Sequence, residues 1–265
     1  MSSQEDIFEW AKRNESTLLT RFESLQKSVE NKEPSIAAIL AYLEENLYFS
    51  INFPAKYLKN FCNDPICKSD YELGGISKGR RLQRIEFDSK FEDSKSFKYA
   101  ALNCGTVGLP FYGDFCLIFD LSKYEATTEQ IVFLMRNSLE KTDKGFYYFD
   151  KENNLKLGKL VEELGTSQTK KELICIKLED KIEEITLEEF PNLICKGKNL
   201  DYIEMIFLDG EVVPYLCKAL TTKQAYKDFN KTILTKPSAE NVEKQETYKT
   251  IHQFLKAQNI TLEFI

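Results

Sequence analysis

Histidine is nearly missing from this 265-residue chain, which has one, His252. That scarcity excludes H-E-x-x-H zinc chemistry and makes any Ser-His-Asp or Cys-His mechanism depend on one side chain in the polar stretch 243–257, which reads as an exposed helix. Paired cysteines are missing too. The seven cysteines (62, 67, 104, 116, 175, 195, 217) are odd in number, form no C-x-x-C pair and sit mostly in apolar runs such as Asp114-Phe115-Cys116-Leu117-Ile118. They read as reduced core residues rather than a disulfide or metal framework. Neither G-x-x-x-x-G-K-[ST] nor a strand-borne G-x-G-x-x-G occurs, which argues against nucleoside triphosphate hydrolysis and Rossmann dehydrogenation. No apolar run approaches the ~18 residues that a membrane span needs, so no membrane insertion is expected. The polar, acidic start Met1-Ser2-Ser3-Gln4-Glu5-Asp6 lacks the basic-then-apolar pattern of a cleavable secretory signal. Basic excess is also absent. With 36 Lys+Arg against 42 Asp+Glu the net charge is −6, so nucleic acid is not the expected partner.

What is present is ample apolar material, 42% of residues, in a length that at ~150 residues per domain makes one large domain or a domain with a helical appendage. Ile7, Ala11, Leu18, Phe22, Leu25 and Val29 recur near a 3.6 period and predict one amphipathic helix over 4–30, to be packed on the core through Ile7, Leu18, Phe22 and Leu25. A second helix is expected over 35–45 after Pro34. From Tyr48 the texture becomes β-rich, with short apolar segments at 48–53, 99–102, 115–120, 173–178 and 202–208 between Gly, Pro, Asn and Asp. Thr127-Thr128-Glu129-Gln130 has capping-box spacing and predicts a helix over 131–139. Residues 214–258 return to helix-forming composition, broken at Lys236-Pro237-Ser238, and 261–265 can close as an edge strand. The chain thus reads as α+β, with an N-terminal helical segment (1–46), a central domain (47–222) and a C-terminal helical extension (223–265).

Three places concentrate unusual chemistry. Only six of the basic residues are arginines, and three of those are Arg80, Arg81 and Arg84, directly after Gly74-Gly75-Ile76-Ser77-Lys78-Gly79. Guanidinium forks behind a glycine-rich stretch suit a diphosphate or an acidic protein face, and equally describe a solvated turn. Tyr99-Ala100-Ala101-Leu102-Asn103 followed by Phe111-Tyr112-Gly113 suits a cleft where a flat ring stacks and an amide is hydrogen-bonded, or else an ordinary strand and hairpin turn. Glu204 lies inside the apolar strand Tyr202-Ile203-Glu204-Met205-Ile206-Phe207, where it either faces solvent or is held in a cleft.

In chain order these pieces resemble one family. Ser50-Ile51-Asn52-Phe53-Pro54 resembles T-L-N-F-H-P, and the stretch 68–79, with Tyr71, Glu72 and Ser77, resembles S-Q-F-E-T-G-x-S-N-G. Arg84-Ile85-Glu86 with Phe91 resembles R-W-E-x-x-x-F, and Lys98-Tyr99-Ala100-Ala101-Leu102-Asn103 resembles P-K-Y-G-A-L-N. Phe111-Tyr112-Gly113-Asp114 resembles R-F-G-x, and Tyr202-Ile203-Glu204 resembles the start of Y-V-E-V-Q-V-H-G. These motifs belong to the CteC-like bacterial mono-ADP-ribosyltransferases, and the resemblance covers about residues 48–220, with Pro54 where the family has histidine and Ile206 where it has glutamine. It implies an ADP-ribosyltransferase-like split mixed sheet around an NAD cleft, no metal, and transfer of ADP-ribose from NAD to a host protein, ubiquitin on a threonine, by a monomeric effector delivered to the host cytosol, the alternative location being the bacterial cytoplasm. By the same resemblance Glu204 is the catalytic carboxylate, and Asn52, Tyr71, Glu72, Ser77, Arg81, Arg84, Asn103 and Tyr112 bind NAD. A non-catalytic module that binds a host protein through its helices, and an NAD glycohydrolase, are the alternative readings.

Overall fold

In the computed structural model, which describes residues 6–30, 35–73, 81–182, 185–195, 202–234 and 241–264, the apolar strands pair into an eight-stranded sheet. Its strands are β1 (Tyr48–Phe53), β2 (Lys98–Asn103), β3 (Phe115–Asp120), β4 (Ile131–Leu134), β7 (Leu164–Gly165), β8 (Glu204–Phe207), β9 (Leu216–Thr221) and β10 (Leu262–Phe264). They lie in the order β10-β9-β3-β1-β2-β8-β4-β7, antiparallel except for the β9–β10 pair. A small hairpin, β5 (Lys141–Thr142) with β6 (Gly145–Phe146), stands apart. The class is α+β, as the mixture of periods implies, and β10 closes an edge as expected.

Alternation of side chains builds a core on each face of this sheet. Phe49, Leu102, Phe119, Phe133, Met205 and Phe207 enter one, with the Phe49 and Phe119 rings stacked 4.9 Å apart. Against them pack the C-terminal half of α1 (Ile7–Ser28), α2 (Ile36–Asn46), α3 (Ala55–Asn63), α5 (Leu121–Glu125), α7 (Lys170–Lys177), α8 (Phe190–Ile194) and α10 (Val242–Ala257). Val132, Leu134 and Ile206 enter the other core, with Phe87 of α4 (Arg81–Asp88) and Leu160 of α6 (Leu157–Glu162). Burial of a Phe such as Phe49 stabilises by roughly 1.5–3 kcal/mol, and truncation to Ala adds a cavity penalty that brings the cost to about 3–5 kcal/mol.

α1 follows its sequence pattern. The Asp6 carboxylate accepts the Phe8 and Glu9 N–H groups at 2.8 and 3.3 Å, and Ile7, Leu18, Phe22 and Leu25 are all buried. Ser35 caps α2 in the same way. Three expectations fail. Residues 131–134 are strand β4, not the start of a helix. The Thr128 hydroxyl accepts the Gln130 N–H in a local turn, and the β-branched and aromatic run Ile131-Val132-Phe133-Leu134 is buried on both faces. Of residues 173–178, read as strand, 173–177 belong to α7 and Leu178 is its C-cap; Leu173, Ile174, Cys175 and Ile176 are all buried, so the short run has no polar face to reveal its period. Within 214–258 the first segment is strand β9, and helix begins with α9 (Lys223–Leu234). All seven cysteines are free, and five of them are buried.

Candidate functional site

β1 and β2 pair only through Tyr48↔Asn103, Phe49↔Leu102 and Ser50↔Ala101. Beyond that point they diverge, although β1 stays paired to β3 as far as Phe53 and β2 to β8 as far as Lys98. A cleft of about 790 Å³ opens in this wedge, within the ~300–1,000 Å³ of typical ligand sites. Residues 50–53 of β1, 99–101 of β2, α3 and the segment 64–73 line it. The loop 109–113 packs against the end of β1 so tightly that a Cβ on Gly113 would lie 1.9 Å from the Phe53 carbonyl carbon.

Glu204 stands at the floor. It shares a row with Ala101 and Ser50 across β8, β2 and β1, and the small Ala101 side chain leaves the carboxylate open to the cleft. Only 2% of the residue is exposed. The Ser138 backbone N–H donates to Oε2 at 2.9 Å and the Tyr202 hydroxyl donates to Oε1 at 3.3 Å. Burial pushes this carboxyl above its ordinary range, opposed by Arg84, Ser138 and Tyr202. A carboxylate with two bonds of about four possible keeps acceptor capacity for a ligand hydroxyl.

Arg84, on α4, lines the same cleft and is 5% exposed. Its Nη1 donates to the Tyr99 hydroxyl, its guanidinium carbon lies 4.1 Å from the Tyr99 ring centroid, and Nη1 is 4.0 Å from Asp88 Oδ1. Its Nε is buried without a hydrogen-bond partner among the described residues. Burial alone would weaken its protonation, but Tyr99, Glu204, Asp88 and Asp70 outweigh that and raise it. This fork is therefore permanently charged and incompletely paired.

Tyr112 lines the cleft, with its ring edge-on to Tyr202 at 6.4 Å and its hydroxyl accepting from Asn137 Nδ2 at 3.4 Å. Glu72 reaches the rim, held by the Ser69 N–H at 2.6 Å and by Lys98 at 3.7 Å, and the Ser69 bond leads in lowering its carboxyl below the usual range. The other expected residues are placed differently. Asn52 touches the cleft, but its amide holds the neighbouring loop, donating to the Val107 and Gly113 carbonyls and accepting the Leu109 N–H. Asn103 is fully buried and does not reach the cleft: it donates to Ser50 Oγ and the Thr106 carbonyl and accepts from the Thr106 N–H and hydroxyl. Its amide builds the turn at Thr106. The Tyr71 hydroxyl donates to Asp88 Oδ2 at 2.7 Å, beside the cleft rather than in it. Ser77 and the glycine-rich stretch 74–79 lie outside the described residues, as does the Arg81 side chain.

Sequence reasoning missed Tyr202, Asn137, Ser138 and Asp88. Tyr202 carried a signal, since it lies two residues before Glu204 and shares its strand face. Asp88 lies one helical turn after Arg84. Ser138 carried none, because it acts through a backbone N–H sixty-six positions away from its acceptor. Among the described residues no group of three or more His, Cys, Asp or Glu could hold a metal ion, and no helix is long and apolar enough to cross a membrane. No protein-family model matches the chain, and no curated protein matches it.

Proposed function

We propose that this cleft binds NAD and that the protein is a mono-ADP-ribosyltransferase with a protein acceptor, ubiquitin on a threonine being the acceptor that the motif resemblance implies. The observation that carries the reading is the Glu204 carboxylate, buried at the floor of a wedge between two central strands, held on both oxygens and still facing the cleft. Cleavage of a nicotinamide–ribose bond passes through an oxocarbenium-like state, and a fixed carboxylate in a water-poor site stabilises that charge without reorganising. Glu204 accepts a ribose hydroxyl and faces the developing cation. Arg84, which lines the cleft, faces the diphosphate, and Tyr112 with Tyr202 offers ring faces and edges for the base. Ordered resemblance over residues 48–220 supports the assignment of the ligand as NAD.

The test is incubation of the pure protein with labelled NAD and ubiquitin. Label and a mass gain of one ADP-ribose on ubiquitin are expected. Release of nicotinamide without transfer would make the protein an NAD glycohydrolase.

A second reading, a non-catalytic module that binds a host protein, is favoured by Ile206. Where the family has a polar glutamine two residues after the glutamate, this side chain is fully buried in the apolar core with Phe87 and Val132. Binding of ubiquitin with neither transfer nor NAD cleavage would decide for it.

A further inference from the structure

Arg84 and Asp88 are one turn apart on α4, both about nine-tenths buried or more, and the contact between them is unfinished. Asp88 Oδ2 accepts the Tyr71 hydroxyl at 2.7 Å. Among the described residues Asp88 Oδ1 has no hydrogen-bond partner; it stands 4.0 Å from Arg84 Nη1 and is matched by the Arg84 Nε, likewise without a partner among them. Arg84 lines the cleft whereas Asp88 does not. Asp88 can therefore act on a ligand only through the arginine.

The charges facing this pair do not favour a second anion. Around Asp88 stand Tyr71 and Asp70 from the preceding turn, Arg84 on its own helix and Lys95 beyond the helix end; around Arg84 stand Tyr99, Glu204, Asp88 and Asp70. One buried guanidinium thus already faces three carboxyl groups. A diphosphate brought to Arg84 would add negative charge to a site of low dielectric, and the system relieves this most easily by neutralising a carboxylate.

Resting on the reading of the cleft as a nucleoside diphosphate site, we propose that Asp88 is the positioning residue for Arg84 and takes up a proton when an anion binds there. With Asp88 neutral, the guanidinium is released from its acidic neighbour and its full charge is available to the ligand, while the Tyr71 hydroxyl still finds an acceptor. Burial, opposed by Tyr71 and Arg84, already brings the Asp88 carboxyl up to about 6, so the uptake falls in an accessible range. An anion that raised it by one further unit would bind about sixfold more tightly at pH 5.5 than at pH 7.5.

The test is calorimetry of the intact protein with ADP-ribose, whose diphosphate stays ionised over this range, in buffers of different ionisation enthalpy. In parallel, the melting shift given by sulfate is compared at pH 5.5 and 7.5. The parent protein should take up a substantial fraction of one proton near pH 6.5, and Asp88→Asn should bind ADP-ribose with the uptake reduced to near zero. Tyr71→Phe, which leaves the carboxylate in place, should bind with the uptake retained, and serves if the Asn variant does not fold. Binding without proton uptake overturns the proposal and leaves the NAD reading intact, as does uptake that survives in Asp88→Asn but disappears in Glu204→Gln. A pH-dependent sulfate shift lost in Asp88→Asn, with no binding of ADP-ribose, upholds the anion site and removes the nucleotide. No binding of either probe overturns both.

Discussion

Two pairs of polar residues at the β1–β2 wedge are treated in opposite ways. Asn52 of β1 and Asn103, at the closed end of β2, each commit both ends of the amide to hydrogen bonds within the fold. On the β8 side, Glu204 and Arg84 of α4 are also buried, but the two held oxygens of Glu204 keep lone pairs for the cleft and the Arg84 Nε has no hydrogen-bond partner among the described residues. Burying a polar group costs free energy unless it is hydrogen-bonded, so the asparagines are accounted for by the fold alone. The acid and the guanidinium are not. What separates a scaffold residue from a ligand-facing one here is uncommitted hydrogen-bonding capacity, which motif matching does not register.

The largest effect should come from removing charge on the β8 side. Glu204→Gln keeps shape and should lower the rate of ADP-ribose transfer by ~10²-fold or more with little change in NAD affinity, because the charge matters chiefly as the glycosidic bond breaks. Label transfer and calorimetry measure the two quantities separately, and equal transfer by both proteins would reduce Glu204 to a structural residue. At the asparagines the effect should be on stability instead. Asn103→Ala deletes four hydrogen bonds inside the fold and should cost about 3 kcal/mol in denaturant unfolding, with NAD affinity of the folded fraction unchanged. A loss of affinity without loss of stability would erase the contrast.

Asp88 sharpens the comparison through pH. Its folded carboxyl, at about 6, lies above the unfolded value near 3.8, so the native state binds the extra proton between them. Stability therefore falls as pH rises from about 4 through 6 and levels off above, the reverse of a salt-bridged carboxylate, and burial of Glu204 acts in the same direction. The upper bound is ~3 kcal/mol, and about 2 kcal/mol is expected after relaxation. Asp88→Asn should be the more stable protein at pH 7.5 and should flatten the profile between pH 5 and 7.5. An unchanged profile would show that the penalty lies elsewhere. The smallest effect is expected for Arg84→Lys, which keeps the charge and loses the fork: NAD affinity should fall about tenfold. The helix α1 double variant of Arg13 and Arg21 to Lys should leave that affinity alone.

Much of the frame was legible in the sequence because it is amphipathic. α1 shows its period through six apolar residues, and β1, β2, β3 and β8 appear as short apolar runs between breakers. Two of the three missed elements are buried on all sides. Ile131–Leu134 and the run 173–176 carry no polar face, so strand and helix could not be told apart. The site was half legible for a related reason. A carboxylate in an apolar strand and an arginine cluster in a lysine-rich chain are visible anomalies, and Glu204 and the Arg84 member of that cluster line the cleft. The distinction between Asn103 and Glu204, the backbone donor at Ser138 and the partner at Asp88 all depend on pairings between distant segments, which local pattern does not encode.

The account turns on where the ligand sits, and hydrogen–deuterium exchange of the intact protein with and without saturating ADP-ribose reads that directly. Beyond Ser50↔Ala101 the facing edges of β1 and β2 have no strand partner, so their amides are open to exchange and to a ligand. Slower exchange is predicted in peptides covering 50–53, 98–101 and 202–204, with no change in α9 and α10. Binding that leaves those three segments unaltered, or protects only the shallow groove between α9, α10 and β10, would contradict it.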